Sequence, residues 1–331
     1  MRHLILSVLL IIAGSSLNAQ YPLSEKQFVE QVNLAGNFPD KLLSTRSAVF
    51  FSFGFSEKEL NQMQDYFQRT GIDAVSYFAL DVLTAGKDAT RGFYTFLRQR
   101  EIANLVFAEK FSDGYRISIT PFNGKEEILT AGQPAWSYSH RLLLEALKTL
   151  NRDALATLKK ENLLINEFPE TDQTINPITG KRNEFYAVDM KVDLVAVPKF
   201  GIDSLDQELA SIFEQHFPFE YKLVDPGVSE KELRKQGMFY IFCFLHTRAI
   251  VARQLLQYPT SPAETAYVSI TFPGDTPQAK NIGLNTSIFK VYFRHIDSGN
   301  VFLGNKWDAD TSWQQALINN IKAMKAELRL N

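Results

Sequence analysis

Cysteine is nearly missing from this chain: Cys243 is the single one in 331 residues. One cysteine excludes an internal disulfide and any Cys-x-x-Cys metal or redox pair. It sits in the apolar, strand-like run Met238-Phe239-Tyr240-Ile241-Phe242-Cys243-Phe244-Leu245 and reads as a small core hydrophobe. Histidine is sparse too. His3, His140, His216, His246 and His295 are the five, with no His-x-x-x-His pair, which removes the usual zinc patterns. Glycine-rich phosphate loops are lacking: Phe53-Gly54-Phe55-Ser56 and Phe200-Gly201-Ile202 each carry one glycine and no lysine at P-loop spacing, so they read as strand-to-helix turns. The Gly-x-Ser-x-Gly nucleophile elbow is absent. Asp308-Ala309-Asp310 lacks the glycine and closing glutamate of an EF-hand loop and reads as acids favouring a helix start. No cofactor and no metal is therefore expected.

Charge of one sign is lacking as well. The net charge is −2, from 35 Lys and Arg against 37 Asp and Glu. Such a balance gives no global electrostatic pull toward nucleic acid or an anionic membrane. What the amino terminus does have is an ordered pattern. Arg2 and His3 precede the apolar run Leu4–Ile12, and small and polar residues lead on to Leu17-Asn18-Ala19. That run falls short of the roughly 20 apolar residues that cross a bilayer. A basic start, a short apolar stretch and a small-residue cleavage site make a secretory signal over residues 1–19. The expected mature chain begins at Gln20, has no transmembrane segment, and works in the periplasm or as a secreted protein. No cysteine follows the cleavage site, so a lipid anchor there is not expected.

A mature chain of this length predicts two domains. Residues 165–184, with Pro169, Pro177 and Gly180 among Asn, Thr and Asp, read as the linker between a first domain over 20–164 and a second over 185–331. In the first, Ser47–Phe53 reads as a strand, and Ser56 with Glu59 forms a capping box for a helix carrying Leu60, Met63 and Phe67. A strand through Val75, Tyr77 and Ala79 toward Val82 follows, then a helix over Asp88–Arg100. Leu105–Phe111 and Tyr115–Pro121 pair across Ser112-Asp113-Gly114, and a long helix bears Leu142, Leu143, Ala146, Leu147 and Leu150 on one face.

The second half repeats the order. Asp189, Lys191 and Asp193 alternate with Val188, Met190, Val192 and Leu194, the period of a strand with one solvated face. Helices follow around Ser204–Phe217 and, capped by Ser229 with Glu232, over Ser229–Gln236. Strands are expected at Tyr221–Val224, Met238–Leu245, Ala266–Phe272, Phe289–His295 and Asn300–Leu303, and a last helix near Ser312 with Gln315 completing its capping box. Both halves read βαβαββα, the second with extra material between Thr247 and Asn285. The fold class is α/β (α+β): two tandem βαβαββα domains, mixed sheets packed by helices.

The second half carries Leu194-Val195-Ala196-Val197-Pro198-Lys199-Phe200, a helix with Leu205 and Leu209, Tyr221-Lys222-Leu223-Val224-Asp225, Ser229-Glu230-Lys231-Glu232-Leu233, and the turn Asp297-Ser298-Gly299-Asn300-Val301. On these residues it resembles the anticodon-binding-like βαβαββα domain of bacterial envelope-assembly proteins. Those are the curli secretion lipoprotein, the penicillin-binding-protein activator lipoproteins, and the amino-terminal domain of the Tol translocation protein. The chain departs from the lipoproteins in lacking a lipobox cysteine. The resemblance implies a non-enzymatic, partner-binding domain with no catalytic residues to carry over.

Six residues remain as binding candidates. His246 and Arg248 follow an apolar strand, where functional groups collect in α/β folds, with Arg253 close behind. Among 26 Phe, 12 Tyr and 3 Trp, Trp136 and Tyr138 precede the first long helix, and Trp307 and Trp313 bracket the start of the last. These four either pack in cores or form a ligand or protein surface. The expected function is that of an exported, non-enzymatic adaptor binding another envelope or cell-surface protein. The alternatives are an exported hydrolase with its site at the domain junction, and a small-ligand or glycan binder with its tryptophans open in a cleft.

Overall fold

The computed structural model describes residues 25–171 and 173–330, so the expected signal over residues 1–19 and the start at Gln20 lie outside the described residues. The chain is α/β. Helix α1 (Glu25–Val29) leads to β1 (Arg46–Phe51), α2 (Glu57–Thr70), β2 (Asp73–Ala79), α3 (Leu80–Leu83), α4 (Lys87–Gln99), β3 (Ile102–Phe111), β4 (Gly114–Pro121), β5 (Trp136–His140) and α5 (Leu143–Thr157). Their sheet runs β2-β1-β3-β4-β5, with β1 parallel to β2 and β3 and the rest antiparallel.

Next come β6 (Arg182–Asn183), a 3-10 turn (Val188–Lys191), β7 (Leu194–Pro198), α6 (Asp203–His216), β8 (Tyr221–Val224), α7 (Glu230–Lys235) and β9 (Met238–Arg248). Helix α8 (Ala249–Leu255), the hairpin β10 (Ala266–Thr271) and β11 (Gln278–Gly283), β12 (Ser287–His295), β13 (Val301–Phe302) and α9 (Trp313–Glu327) complete it. The second sheet runs β6-β13-β12-β9-β7-β8. Its members β8-β7-β9-β12-β13 repeat the order and strand directions of β2-β1-β3-β4-β5. The extra material of the second half is α8 and the β10–β11 hairpin.

Local chemistry explains several of these elements. Ser56 accepts from the backbone N–H of Glu59, and the Glu59 carboxylate accepts from the Ser56 N–H at 2.7 Å, so the expected capping box starts α2. Tyr115 and Lys110 also donate to Glu59. Ser229 caps α7 and Ser312 caps α9 through their side chains. At α9 the reciprocal half of the box is missing, because the Ser312 N–H donates to Asp310 Oδ1 instead of to Gln315. A second expectation fails at Val188–Val192. The alternation there belongs to the 3-10 turn and not to a strand; β7 finds its neighbours only from Leu194 onward. The turn buries Met190 and leaves Val188 and Val192 exposed. Likewise the strand toward Val82 stops at Ala79, and Val82 lies in α3.

Period-two alternation sorts the strands between faces. In β1, Val49 faces α2 and α5 with Met63, Phe67, Leu147 and Leu150, while Ala48 and Phe50 face Phe93 and Leu97 of α4. In the second sheet, Tyr240, Phe242 and Phe244 face α6 and α9, and Ile241, Cys243 and Leu245 face the other way. That last face is shared: Ala85 and Ala89, at the start of α4, pack into it beside Leu233 of α7 and Ala252 of α8. Gly86 permits this approach, since a Cβ there would meet the Phe244 carbonyl oxygen at 2.7 Å. The backbone N–H of His246 donates to Ala85 O across the same contact, at 2.8 Å. The two sheets thus meet through a common apolar core.

The segment over 165–184 is held against both sheets. Glu170 exchanges backbone hydrogen bonds with Val75 and Tyr77 on the outer side of β2, Ile175 and Ile178 are buried, and Arg182–Asn183 pairs with β13 as β6.

Candidate functional site

The six candidates from sequence fall in four places. Trp136 lies on β5, stacked on Phe38 with ring centroids 4.4 Å apart, and Tyr138 lies beside it against His140. Both border the core under α2 and α5. Trp313, the first residue of α9, is buried edge-on to Phe200 in the core under α6 and α9. Trp307 is 8% exposed and belongs to the core that the sheets share. None of the three tryptophans stands open, because each ring is covered by aromatic neighbours. Trp136 and Tyr138, expected ahead of the first long helix, occupy a strand in which rings alternate with Ser137 and Ser139.

His246 and Arg248 lie where the sheets meet. The imidazole of His246 stacks on Phe289 at 4.1 Å, and its Nε2 pairs with Ser287 Oγ at 3.0 Å. Burial holds it below the usual histidine range, which keeps it neutral. The Arg248 guanidinium donates from Nε and Nη2 to the two oxygens of Asp81, at 2.7 and 3.1 Å, and Thr247 donates to the same carboxylate. The exposed ring of Phe53 covers Arg248 at 4.2 Å. Burial, and then the Asp81 carboxylate, push Glu25 of α1 up to about 7.

Deeper in the junction lies a set of ionic groups that sequence did not single out. Asp88 of α4 accepts from Tyr292 Oη at 2.7 Å and pairs with Arg294 of β12 at 3.3 Å. Glu230 of α7 takes both Arg294, at 2.7 Å, and Arg91 of α4. Every charged member of this set is engaged by another, so it ties the two sheets together. Burial raises the Glu230 carboxyl, but Arg294 and Arg91 outweigh it and hold the group at about 2, below its ordinary 4.5. The sign follows: this contribution to stability is complete above about 4.5 and is lost as pH falls toward 2. Denaturant titrations across that window should show the parent losing stability more steeply than Glu230→Gln; parallel curves would refute the assignment.

Asp308 and Asp310 serve charges and a cap. Asp308 lies 2.7 Å from Lys290 Nζ, both fully buried, while Asp310 accepts from Lys280 and from the Thr311 N–H. Among the described residues no group of three or more His, Cys, Asp or Glu is arranged to hold a metal. Cys243 is buried, and desolvation raises its thiol well above the usual range, which makes it unreactive.

Around Trp307 the structure gathers residues from four separated segments, Arg253 and Tyr258 sharing one. Arg182 of β6 covers Tyr258 at 4.6 Å. Arg253 of α8 lies 4.2 Å from the centre of the Tyr267 ring on β10 and 5.6 Å from those of Tyr258 and Trp307. Tyr258 meets Trp307 edge-on at 5.0 Å. Trp307 was visible in sequence as a candidate and Arg253 as a neighbour of one. Arg182, Tyr258 and Tyr267 carried no local signal.

No family model matches the chain, and no curated protein matches it.

A surface cavity of about 420 Å³ opens at the other end of the first sheet, lined by Arg46, Asp73, Val75, Arg100, Leu164 and Glu170. Its Arg100 and Glu170 form a bidentate pair at 2.7 and 2.8 Å. The apolar side of this cavity belongs to the connector, where Leu163, Leu164 and Phe168 are 93%, 91% and 86% exposed.

Proposed function

We infer that the protein is an exported, non-enzymatic binder of another envelope or cell-surface protein, held through the apolar side chains of the segment that joins its sheets. One observation carries this reading. Of the eleven large apolar side chains exposed among the described residues, six lie between the end of α5 and the start of β7: Phe168 within the 165–184 segment, and Leu163, Leu164, Phe185, Val188 and Val192 on its two flanks. Scattered exposed apolar residues are ordinary on a soluble protein, but their concentration marks an interaction surface. The export pattern of residues 1–19 and the resemblance of the second half to envelope-assembly domains agree with this reading.

The test compares the tagged full chain, cross-linked in its host, with a Leu163→Ser, Leu164→Ser, Phe168→Ser variant. The parent should retain a defined envelope protein that the variant loses while keeping its unfolding midpoint, because these side chains contribute little to the core. Identical retention by both, or retention of nothing, rejects the reading.

A further inference from the structure

The cluster around Trp307 is separate from the connector's exposed side chains and carries its own argument. Its first feature is an unbalanced charge. Arg182 donates Nε to Leu256 O at 2.7 Å and Nη1 to Glu184 at 3.0 Å. Arg253 donates Nη2 to Pro259 O at 2.7 Å and has no ion pair among the described residues. One guanidinium is therefore held among three aromatic rings with no carboxylate at ion-pair distance among the described residues.

The second feature is a set of buried polar atoms without a partner among the described residues: Arg182 Nη2, Arg253 Nε, Tyr258 Oη, Tyr267 Oη and Trp307 Nε1. Tyr267 is 1% exposed and Trp307 8%. Leaving one such group unsatisfied is costly, and buried polar groups nearly always have partners. All five can donate. Five donors and a surplus positive charge in one cluster ask for an anion.

The geometry also selects its shape. A planar carboxylate is best held by the parallel fork of one arginine. Arg182 is bonded through Nε and Nη1 and keeps Nη2, while Arg253 is bonded through Nη2 alone and keeps Nε. Donors offered by separate segments, and not by one fork alone, suit a group with several acceptor oxygens such as a phosphate. We propose that Arg182, Arg253, Tyr258, Tyr267 and Trp307 form a binding site for a tetrahedral oxyanion, the phosphate of a small molecule or free phosphate. Three of the five, Arg253, Tyr258 and Tyr267, lie in the 249–285 insertion that the first half lacks, so the site belongs to what distinguishes the second half.

Isothermal titration of the full chain tests this, with sodium phosphate, glycerol phosphate, sodium acetate and sodium chloride at matched ionic strength. Saturable binding of phosphate or glycerol phosphate is expected, and whichever is tighter separates the free ion from the ester. Arg253→Gln should weaken it by about tenfold or more. Tyr258→Phe and Tyr267→Phe keep the rings and remove only unpartnered hydroxyls, so a purely structural cluster predicts unchanged or improved thermal stability and no effect on binding. Weaker phosphate binding in either, with folding retained, supports the site. No saturable binding, equal binding of acetate and phosphate, or phosphate binding unaltered in all three variants overturns it.

Discussion

Arg294→Met is expected to lower the unfolding free energy by about 3–5 kcal/mol, the usual cost of breaking a buried ion pair from one side. Arg294 is 3% exposed and joins Asp88, itself 4% exposed, to Glu230. Its removal leaves two carboxylates, one almost wholly out of water, with Arg91 and Tyr292 as their remaining partners. Because Asp88 belongs to the first half and Arg294 to the second, the loss falls on the contact between sheets and not on either sheet alone. Denaturant unfolding, followed by far-ultraviolet dichroism, reads the change as a lowered midpoint. A loss below about 1 kcal/mol, the size of an exposed pair, would show that the junction is solvated and the tie weak.

Lys290→Met should cost a similar amount for a different reason. Lys290 is 0% exposed, and its ammonium donates to the carbonyls of Val291 and Leu303 besides facing Asp308. Without it, Asp308 keeps only the Asn320 amide beside it in the core. Burial already raises the Asp308 carboxyl despite Lys290, so loss of the cation raises it further. A carboxyl with a raised folded value favours folding at low pH and loses that contribution as pH rises, so the deficit of Lys290→Met should be larger at neutral than at acid pH. Adding Asp308→Asn removes the stranded charge and should restore much of the loss. Additive single and double variants would exclude the coupling.

Much of the architecture was legible because its signals are local. The Ser56–Glu59 box, the Ser229 cap and the Asp113-Gly114 turn each rest on neighbours within a few residues, and all three stand where expected. The failures are equally physical. The two-residue period at Val188–Val192 predicts a strand, but no strand pairs with it before Leu194, and the stretch closes as a 3-10 turn that buries Met190 and exposes Val188 and Val192. Strand β5 alternates rings with Ser137 and Ser139, so a period-two signal was present, and its pairing with β4 fixes it in the sheet. The oxyanion cluster was the least visible. Its members span Arg182 to Trp307, and what joins them is the return of α8 and the hairpin onto the second sheet.

The contacts of the connector carry one more consequence. A bare edge strand is a template on which other chains can add, and proteins guard against such growth. By pairing Glu170 with β2 and Arg182–Asn183 with β13, one stretch of backbone covers a margin of each sheet. Replacing it with a flexible Gly/Ser tether of the same length would preserve the covalent join and uncover both margins at once. Resistance to aggregation, as well as connection, is therefore written into these few residues.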